Sequence, residues 1–241
     1  MNNKSETYRK ASEYWASIPA TLDGVLGGFG YISDIDIDGS KLFLKALQSL
    51  SNPPDTHTAL DCGAGIGRIS KLLLLPNFDT VDVVEPDEKF IENLKIYVGD
   101  LTTKLGSVYK CCLQDFNPDK KYDVIWNQWV LGHLIECDLV SYLIRCKNAL
   151  TENGIIVIKE NVASSGRIEK DDTDSSVTRP LKQFLQIFKK AKLKRIKQCK
   201  QTNFPEGIYP VYMFALVPMD KEVIPADEEI QKIETINSCA R

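Results

Sequence analysis

The chain has 241 residues, of which 43% are hydrophobic and 26% are charged, and its formal net charge is -3. This length and composition predict a folded protein with a sizeable core, and they exclude disordered and fibrous chains. Because positive and negative charges nearly balance, the chain as a whole is not attracted to phosphate backbones, and we expect no direct nucleic-acid partner. The first residues lack the apolar core of a secretory signal, and no apolar run approaches the roughly 20 residues that cross a bilayer, so we expect no membrane partner.

The seven cysteines are scattered, and none forms the Cys-x-x-Cys pair that is typical of zinc and redox sites. We therefore expect reduced thiols in an intracellular compartment. The sequence implies no metal ion, because it contains no cluster of ligand residues. We expect the protein to act as a monomer.

The N-terminal region begins with a predicted helix and continues into a glycine-rich loop. Between Thr7 and Ile18, apolar residues recur at spacings of three and four, which predicts one apolar helix face ending before Pro19. The run Asp23–Gly30 then carries four glycines, which permit backbone turns closed to other residues. We expect this loop to contact a ligand or a partner.

From Thr58 onward, short apolar runs alternate with helical stretches. The runs predicted as strands are Ala59–Leu60, Val81–Val84, Tyr122–Trp126, Gly154–Ile158 and, near the end, Ile208–Val217. A further strand is expected shortly before Leu113. This alternation predicts an α/β fold with a parallel sheet that is covered on both faces.

Two later segments differ in composition from the rest. The stretch Lys182–Lys200 carries eight Lys or Arg residues, which allows a nucleic-acid patch. Four apolar residues within it, the last of them Leu193, favour instead the solvated face of a helix. After Pro218 the chain is acidic with few aromatics, which predicts an appended, partly ordered tail.

The strongest chemical signal is the segment Leu60–Arg68, which follows a predicted strand and precedes a helical pattern. Its glycines are spaced Gly-x-Gly-x-Gly, whereas nicotinamide sites use Gly-x-Gly-x-x-Gly, with the third glycine packed beneath a pyrophosphate. The early third glycine favours a ligand that lies against the loop without a diphosphate, as a nucleoside-sulfonium cofactor does. Arg68 is a candidate partner for the carboxylate of such a ligand.

Two further positions support a nucleoside ligand. Glu85 ends the second strand 22 residues after Gly63, where a carboxylate can accept both ribose hydroxyls. After the presumed third strand, Leu113 and Gln114 offer an apolar side chain and an amide that could frame an adenine. A tight turn followed by a surface glutamate is the alternative explanation of this pattern.

Polar and aromatic residues after the later strands indicate an acceptor site. The segment Asn127–His133 follows one predicted strand, and Lys159–Asn161 ends the next. Because open α/β sheets hold ligands at the carboxyl edge, we expect both segments beside the cofactor. The acidic loop Asp171–Ser176 follows, and with a methyl donor it suggests a cationic acceptor. An ordinary polar loop is the alternative.

Methyl transfer from a sulfonium requires a neutral nucleophile, whereas a protein α-amine has a pKa of about 8 and is mostly protonated at pH 7. A base must therefore receive one proton, and His133 and Asp174 are the suitable candidates. Asn161 is a candidate for orienting the amine. The alternative explanation makes Trp129 a core residue and His133 a capping residue.

Seven motifs between Tyr14 and Val217 occur together, namely Tyr14-Trp15, Asp23–Gly30, Leu60–Arg68, Trp126–His133, Ile155–Asn161, Asp174–Ser176 and Ile208-Tyr209. Together they resemble the eukaryotic protein α-N-terminal methyltransferases, which are class I S-adenosylmethionine-dependent methyltransferases. The resemblance implies a seven-stranded Rossmann-like sheet, mostly parallel with the last strand antiparallel, flanked by helices and preceded by an N-terminal helical extension. It implies helices and a glycine-rich loop covering the active site over 1–57, the methyltransferase core over 58–217, and the tail over 218–241.

The resemblance also implies an activity. Members of this family transfer methyl groups from S-adenosylmethionine to the free α-amine of proteins beginning X-Pro-Lys or X-Pro-Arg after loss of the initiator Met, leaving S-adenosylhomocysteine. Such proteins would be the partners, in the cytoplasm and the nucleus. A methyltransferase for a small-molecule amine is the alternative function, and a binding adaptor without catalysis is a third.

Individual roles follow from the resemblance, position by position. The cofactor contacts it implies are Trp15, Gly63, Gly65, Arg68, Glu85, Pro86, Asp87, Leu113, Gln114 and Gln128. Amine positioning and proton removal fall to Asn161, Asp174 and His133. The substrate contacts it implies are Leu26, Ile32, Trp129, Ile208 and Tyr209 around the proline, Asp171 and Asp172 at the third-residue cation, and Ser176 nearby. The chain departs from the family at Glu160, where an Asp is expected, and the stretch from Asn161 to Asp174 is one residue longer.

Overall fold

The computed structural model describes residues 2–221, in which strands and helices alternate from Thr58 as predicted. The helices are α1 (Asn2–Ser17), α2 (Leu22–Val25), α3 (Ser33–Gln48), α4 (Glu88–Val98), α5 (Glu136–Asn148) and α6 (Leu181–Lys190). The strands are β1 (Thr58–Cys62), β2 (Thr80–Val84), β3 (Leu105–Tyr109), β4 (Tyr122–Gln128), β5 (Leu150–Asn161), β6 (Glu169–Lys170), β7 (Val177–Thr178), β8 (Leu193–Lys200) and β9 (Val211–Pro218). From position 222 onward, the predicted acidic tail lies outside the described residues.

Seven strands form one sheet in the order β3-β2-β1-β4-β5-β9-β8, while β6 and β7 form a separate hairpin. Neighbouring strands from β3 to β5 are parallel, and β9 is antiparallel to both of its neighbours. The chain runs outward from β1 to β3 and then returns to start β4 on the other side of β1. The carboxyl ends of β1 and β4 therefore flank a crevice, and the predicted fold is confirmed.

Both faces of the sheet are buried, which explains why its strands read as continuous apolar runs. In β4, Ile125 faces one core cluster together with Phe184 and Phe188 of α6. Its neighbours Val124 and Trp126 face the opposite cluster, and all three β4 residues are fully buried. Burying each such side chain contributes on the order of 1.5–3 kcal/mol to the stability of the fold.

The N-terminal helix is fixed over the crevice by polar contacts at its C-terminal end and near its middle. The Lys89 ammonium donates to the carbonyls of Ala16 at 2.8 Å and Ile18 at 2.5 Å, in a region where helix carbonyls lack intrahelical partners. The Tyr8 hydroxyl donates to Asp138 Oδ2 at 2.6 Å. These contacts tie α1 to α4 and α5, on either side of the cofactor crevice.

Several predicted boundaries are wrong. Strand β5 begins at Leu150, four residues before the predicted start at Gly154. Strand β4 continues through Asn127 and Gln128. The last strand begins at Val211, because Pro210 has no N–H for a strand ladder, so the predicted residues at 208 and 209 lie in the preceding loop. The basic stretch 182–200 is one helix followed by strand β8, and Leu193 belongs to the strand. Lys192 adopts a φ of 58° at this boundary, a conformation that usually calls for glycine.

Candidate active site

A cavity of about 470 Å³ lies at the carboxyl edge of the sheet, where the crevice was expected. Its size is within the range of about 300–1,000 Å³ that is typical of small-molecule sites. All ten residues predicted to contact the cofactor line it, and so do His133, Leu26 and Trp129. These ten are Trp15, Gly63, Gly65, Arg68, Glu85, Pro86, Asp87, Leu113, Gln114 and Gln128.

The glycine turn after β1 forms the floor of this cavity. Gly63 has a φ of 73°, and a Cβ there would lie 2.4 Å from a methyl carbon of Val130. Gly67 has a φ of 80°, and a Cβ there would lie 2.7 Å from Leu94 of α4. The lack of a Cβ at Gly63 thus lets the turn lie against Val130, and the lack of one at Gly67 allows close packing of α4.

Glu85 projects from the end of β2 and is held by the glycine turn. Its carboxylate accepts backbone N–H bonds from Gly65 at 2.9 Å and Asp87 at 3.0 Å. Burial raises the pKa of Glu85 to about 7, and the two backbone N–H groups oppose that rise. A buried acceptor that forms no ion pair within the described part of the chain suits neutral donors such as the two hydroxyls of a ribose.

Arg68 has a partner that the sequence did not reveal. Its Nη1 donates to the buried carboxylate of Asp36 in α3 at 2.6 Å, and its guanidinium lies 5.5 Å from the Trp129 ring centroid. Gln128 donates to the same carboxylate at 2.7 and 2.9 Å. Asp36 stands between two other aspartates in the helix, Asp34 and Asp38, and the sequence analysis assigned it no role.

His133 and Trp15 contact one another at the acceptor side of the cavity. The Trp15 indole N–H donates to His133 Nε2 at 3.1 Å, and this donation assigns the ring proton of the neutral imidazole to Nδ1. Asp174 Oδ2 lies 3.9 Å from the same Nε2. Burial lowers the pKa of His133, and the Asp174 carboxylate opposes the change. The structure therefore brings the two predicted bases together.

The β6–β7 hairpin carries the predicted acidic residues. Asp174 accepts the backbone N–H of Ser176 at 2.8 Å through Oδ1, which leaves Oδ2 directed to His133. Asp171 and Asp172 are exposed in the same turn. The Tyr209 hydroxyl donates to Glu169 at 2.6 Å, which ties the loop before β9 to this hairpin. None of these residues lines the cavity, and Asp174 lies beside it at His133.

The remaining predicted residues differ in how they relate to the cavity. Ile32 is buried beneath the glycine-rich loop, whereas Ile208 is half-buried in the loop before β9. Asn161 ends β5 at the same sheet edge and does not line the cavity. Trp129 has a φ of 51°, which is strained for an aromatic residue, and it stacks on Phe204 at 6.5 Å between ring centroids. Phe204 was not predicted, since nothing in its local sequence marks it.

The residues present fit a nucleoside-sulfonium cofactor. The cavity combines a glycine floor, an acceptor at Glu85, an apolar wall at Leu113 and cationic Arg68. Within residues 2–221, His133 Nδ1 and the Trp129 indole N–H are buried polar atoms without a hydrogen-bond partner. Such atoms are expected where a ligand completes the site.

A scan against family models identifies residues 3–217 as an AdoMet-dependent proline di-methyltransferase domain. The chain belongs to this family. The family confirms the predicted resemblance and the predicted cofactor, S-adenosylmethionine, for which AdoMet is the abbreviation. It also agrees with the reading of the glycine spacing as a site without a diphosphate.

Curated relatives match most of the chain. The N-terminal Xaa-Pro-Lys N-methyltransferase 1 of Mus musculus is 48% identical over 218 residues, which cover 90% of this chain and 97% of that protein. The alpha N-terminal protein methyltransferase 1 of Drosophila melanogaster is 46% identical over 91% of this chain and 79% of its own length.

Solved structures agree on the fold. A SAM-dependent methyltransferase of Leishmania major superposes with a TM-score of 0.82 at 37% identity, covering 87% of this chain and 82% of that one. A glycopeptide N-methyltransferase superposes at 0.61 with 12% identity, covering 75% of this chain and 93% of its own. The second likeness concerns the fold alone.

Proposed function

We propose that this protein methylates the free α-amine of proteins that begin X-Pro-Lys or X-Pro-Arg after removal of the initiator Met. The observation that carries the proposal is the junction of two sites. A cavity that contains every predicted cofactor residue adjoins His133, and Asp174 of an acidic hairpin lies 3.9 Å from that histidine. The names of the relatives, which specify Xaa-Pro-Lys N-termini, support this substrate class.

Binding of the substrate N-terminus would use Leu26 and Trp129, which line the cavity, together with residues beside it. Trp129, stacked on Phe204, and the apolar Leu26 offer a slot for a proline ring, which has no N–H to satisfy. Asp171 and Asp172 present two exposed carboxylates that suit the third-residue Lys or Arg. Asn161 would orient the amine from the end of β5.

Proton removal would involve Asp174 and His133. S-adenosylmethionine, when bound, supplies an electrophilic methyl group on a sulfonium. Oδ2 of Asp174 is free of the Ser176 contact and would accept an N–H of the protonated amine. His133 lies beside it with a lowered pKa and is therefore neutral at pH 7, and its Nε2 would receive the proton from Asp174 in exchange for the hydrogen bond from the Trp15 indole N–H. The amine is then left with the lone pair that attacks the methyl group.

Mass spectrometry of a Ser-Pro-Lys-Arg peptide incubated with the protein and S-adenosylmethionine tests this function. Methyl mass on the free peptide but not on its N-acetylated twin is expected, and it would locate the chemistry on the α-amine. A Ser-Pro-Gln-Arg peptide serves as a matched control for the third position, and it should react more weakly than the Lys and Arg versions. No methyl mass on any peptide, together with methylation of a free amine, would overturn the proposal.

A further inference from the structure

A fully buried carboxylate lies at the centre of three donor side chains behind the cofactor cavity. Asp36 of α3 receives Arg68 Nη1 at 2.6 Å, Lys159 Nζ at 2.5 Å and Gln128 Nε2 at 2.7 Å. Lys159 also donates to Ser40 at 3.0 Å and to Gln201 at 2.8 Å. The cluster joins α3 to the glycine turn and to the ends of β4 and β5.

The composition of this cluster is unfavourable if its only role is stability. Burying charges costs several kcal/mol per ion, and a buried ion pair is often no more stable than well-packed apolar side chains. Here one carboxylate serves two cations, Arg68 and Lys159, so that the cluster keeps one positive charge in excess. Burial lowers the pKa of Lys159, and Asp36 opposes that change.

Two of the three donors face the cavity, whereas the third does not. Arg68 and Gln128 line it, and Lys159 is fully buried behind them. The Gln128 amide is fixed at both ends, because its Oε1 accepts the Trp126 indole N–H at 3.1 Å. A guanidinium has five N–H donors, so Arg68 keeps donors for a second carboxylate after binding Asp36. The two Gln128 contacts run from one nitrogen to both oxygens of Asp36, so one N–H can serve both and the other is left for a ligand.

We propose that Asp36 is a positioning residue, which holds Arg68 and Gln128 in place for the amino-acid carboxylate of the cofactor. Lys159 offsets the charge of Asp36, so that the positive charge of Arg68 is left for the ligand. The inference rests on the assignment of Arg68 and Gln128 to the cofactor. It adds a residue from the N-terminal region that does not line the cavity.

The test compares two ligands that differ only at the end concerned. S-adenosylhomocysteine carries the amino-acid carboxylate, whereas 5′-methylthioadenosine keeps the adenosine and sulfur without it. Binding of both to the full chain is measured by calorimetry at pH 8. We expect Asp36→Asn to weaken S-adenosylhomocysteine about 10- to 100-fold more than methylthioadenosine, the size of a lost hydrogen bond to a charged group. The KM for S-adenosylmethionine should rise while the KM for the peptide does not.

The matched control is Asp123→Asn. Asp123, like Asp36, is a buried aspartate. It accepts the backbone N–H groups of His57 and Thr58 and lies at the amino ends of the parallel strands, away from the cavity. Its substitution should lower the unfolding temperature and leave the ratio of the two affinities unchanged. Equal weakening of both ligands by Asp36→Asn, or a ratio like that of Asp123→Asn, would overturn the proposal.

Arg68→Lys provides a second variant in case Asp36→Asn does not fold. A lysine keeps a cation for Asp36 but loses the planar fork that reaches two carboxylates at once. It should show the same loss of preference for S-adenosylhomocysteine, and full preference in this variant would refute the positioning role. If the unmodified protein itself binds both ligands equally, the assignment of Arg68 to the cofactor fails, and the inference fails with it.

Discussion

Cofactor affinity should depend on pH through Glu85. The proposed ribose contact requires its carboxylate form, and burial raises the pKa of this group to about 7 in the cofactor-free protein. Below that pH the protein must first lose a proton before the two hydroxyls can donate. Affinity should therefore fall as the pH falls through 7, with a proton released on binding.

The size of the effect follows from the same pKa. If only the carboxylate form binds, protonation of Glu85 multiplies the apparent dissociation constant by 1 + 10^(pKa − pH). A pKa of about 7 makes this factor about 1.1 at pH 8 and about 11 at pH 6. We expect S-adenosylhomocysteine to bind about tenfold more weakly at pH 6, or about 1.4 kcal/mol in binding free energy.

Calorimetric titration with S-adenosylhomocysteine between pH 5.5 and 8.5 measures this dependence. Glu85→Gln should bind more weakly at pH 8, by about 1.5–3 kcal/mol, and its affinity should be flat across this range. Glu160→Gln is the matched control, because burial also raises the pKa of Glu160 to about 7 but this residue does not line the cavity. A constant affinity in the unmodified protein, or a slope that survives in Glu85→Gln, would refute the role given to Glu85.

Three further changes test the acceptor side and the core. Asp174→Asn should lower kcat about 10²-fold or more, as measured by steady-state kinetics, and leave the calorimetric affinity for S-adenosylhomocysteine unchanged. An equal loss of cofactor affinity would contradict the role of Asp174 as a base. Trp15→Phe removes the indole N–H that His133 Nε2 accepts and that favours the neutral imidazole. The pKa of His133 should therefore rise, and the acid limb of the kcat/KM profile should move to higher pH; an unmoved limb would contradict His133 as a base. Glu160 carries a folded pKa above its unfolded value, so its charging destabilises the fold as pH rises from about 4.5 to 7, by up to about 3 kcal/mol. Urea unfolding of Glu160→Gln should show a shallower decline over that range, and an identical slope would argue against this burial penalty.

The glycine turn and the acid after the second strand could be located from the sequence because each of these signals is local. The turn at Gly63 and the acid at Glu85 each follow a short apolar run, and parallel strands place their carboxyl ends at one edge. Adjacent elements of the chain thus determine where these side chains lie. All ten predicted residues consequently line one cavity.

Asp36 was missed because its environment comes from distant parts of the chain. The helix carries Asp34, Asp36 and Asp38 in alternation, and Asp36 is the one of the three that is buried. Its partners Arg68 and Lys159 lie 32 and 123 positions away. No window of sequence around the helix contains that information, so a solvated carboxylate and a buried one look alike.

Strand β8 was missed for a different reason, which is the lack of a helix stop signal. Helix α6 ends at Lys190, and Lys192 takes the left-handed conformation in which glycine or asparagine is usual. The strand that follows is an edge strand, and its lysines protect it from pairing with other chains. Basic residues with a structural role on an edge therefore looked like the polar face of one long helix.

The two buried acids of the site have opposite surroundings, so the regions of the site near each acid suit different parts of a ligand. Within residues 2–221, Glu85 accepts backbone N–H bonds and forms no ion pair, which suits neutral hydroxyls, whereas Asp36 pairs with two cationic side chains that leave positive charge for a carboxylate. A nucleoside with an amino-acid chain matches this order in one orientation only. Arg68 lies 5.5 Å from the Trp129 ring centroid, on the side where a proline slot is proposed. The charge pattern thus predicts that the amino-acid end of the cofactor lies at Arg68, on the side of the cavity that Trp129 lines.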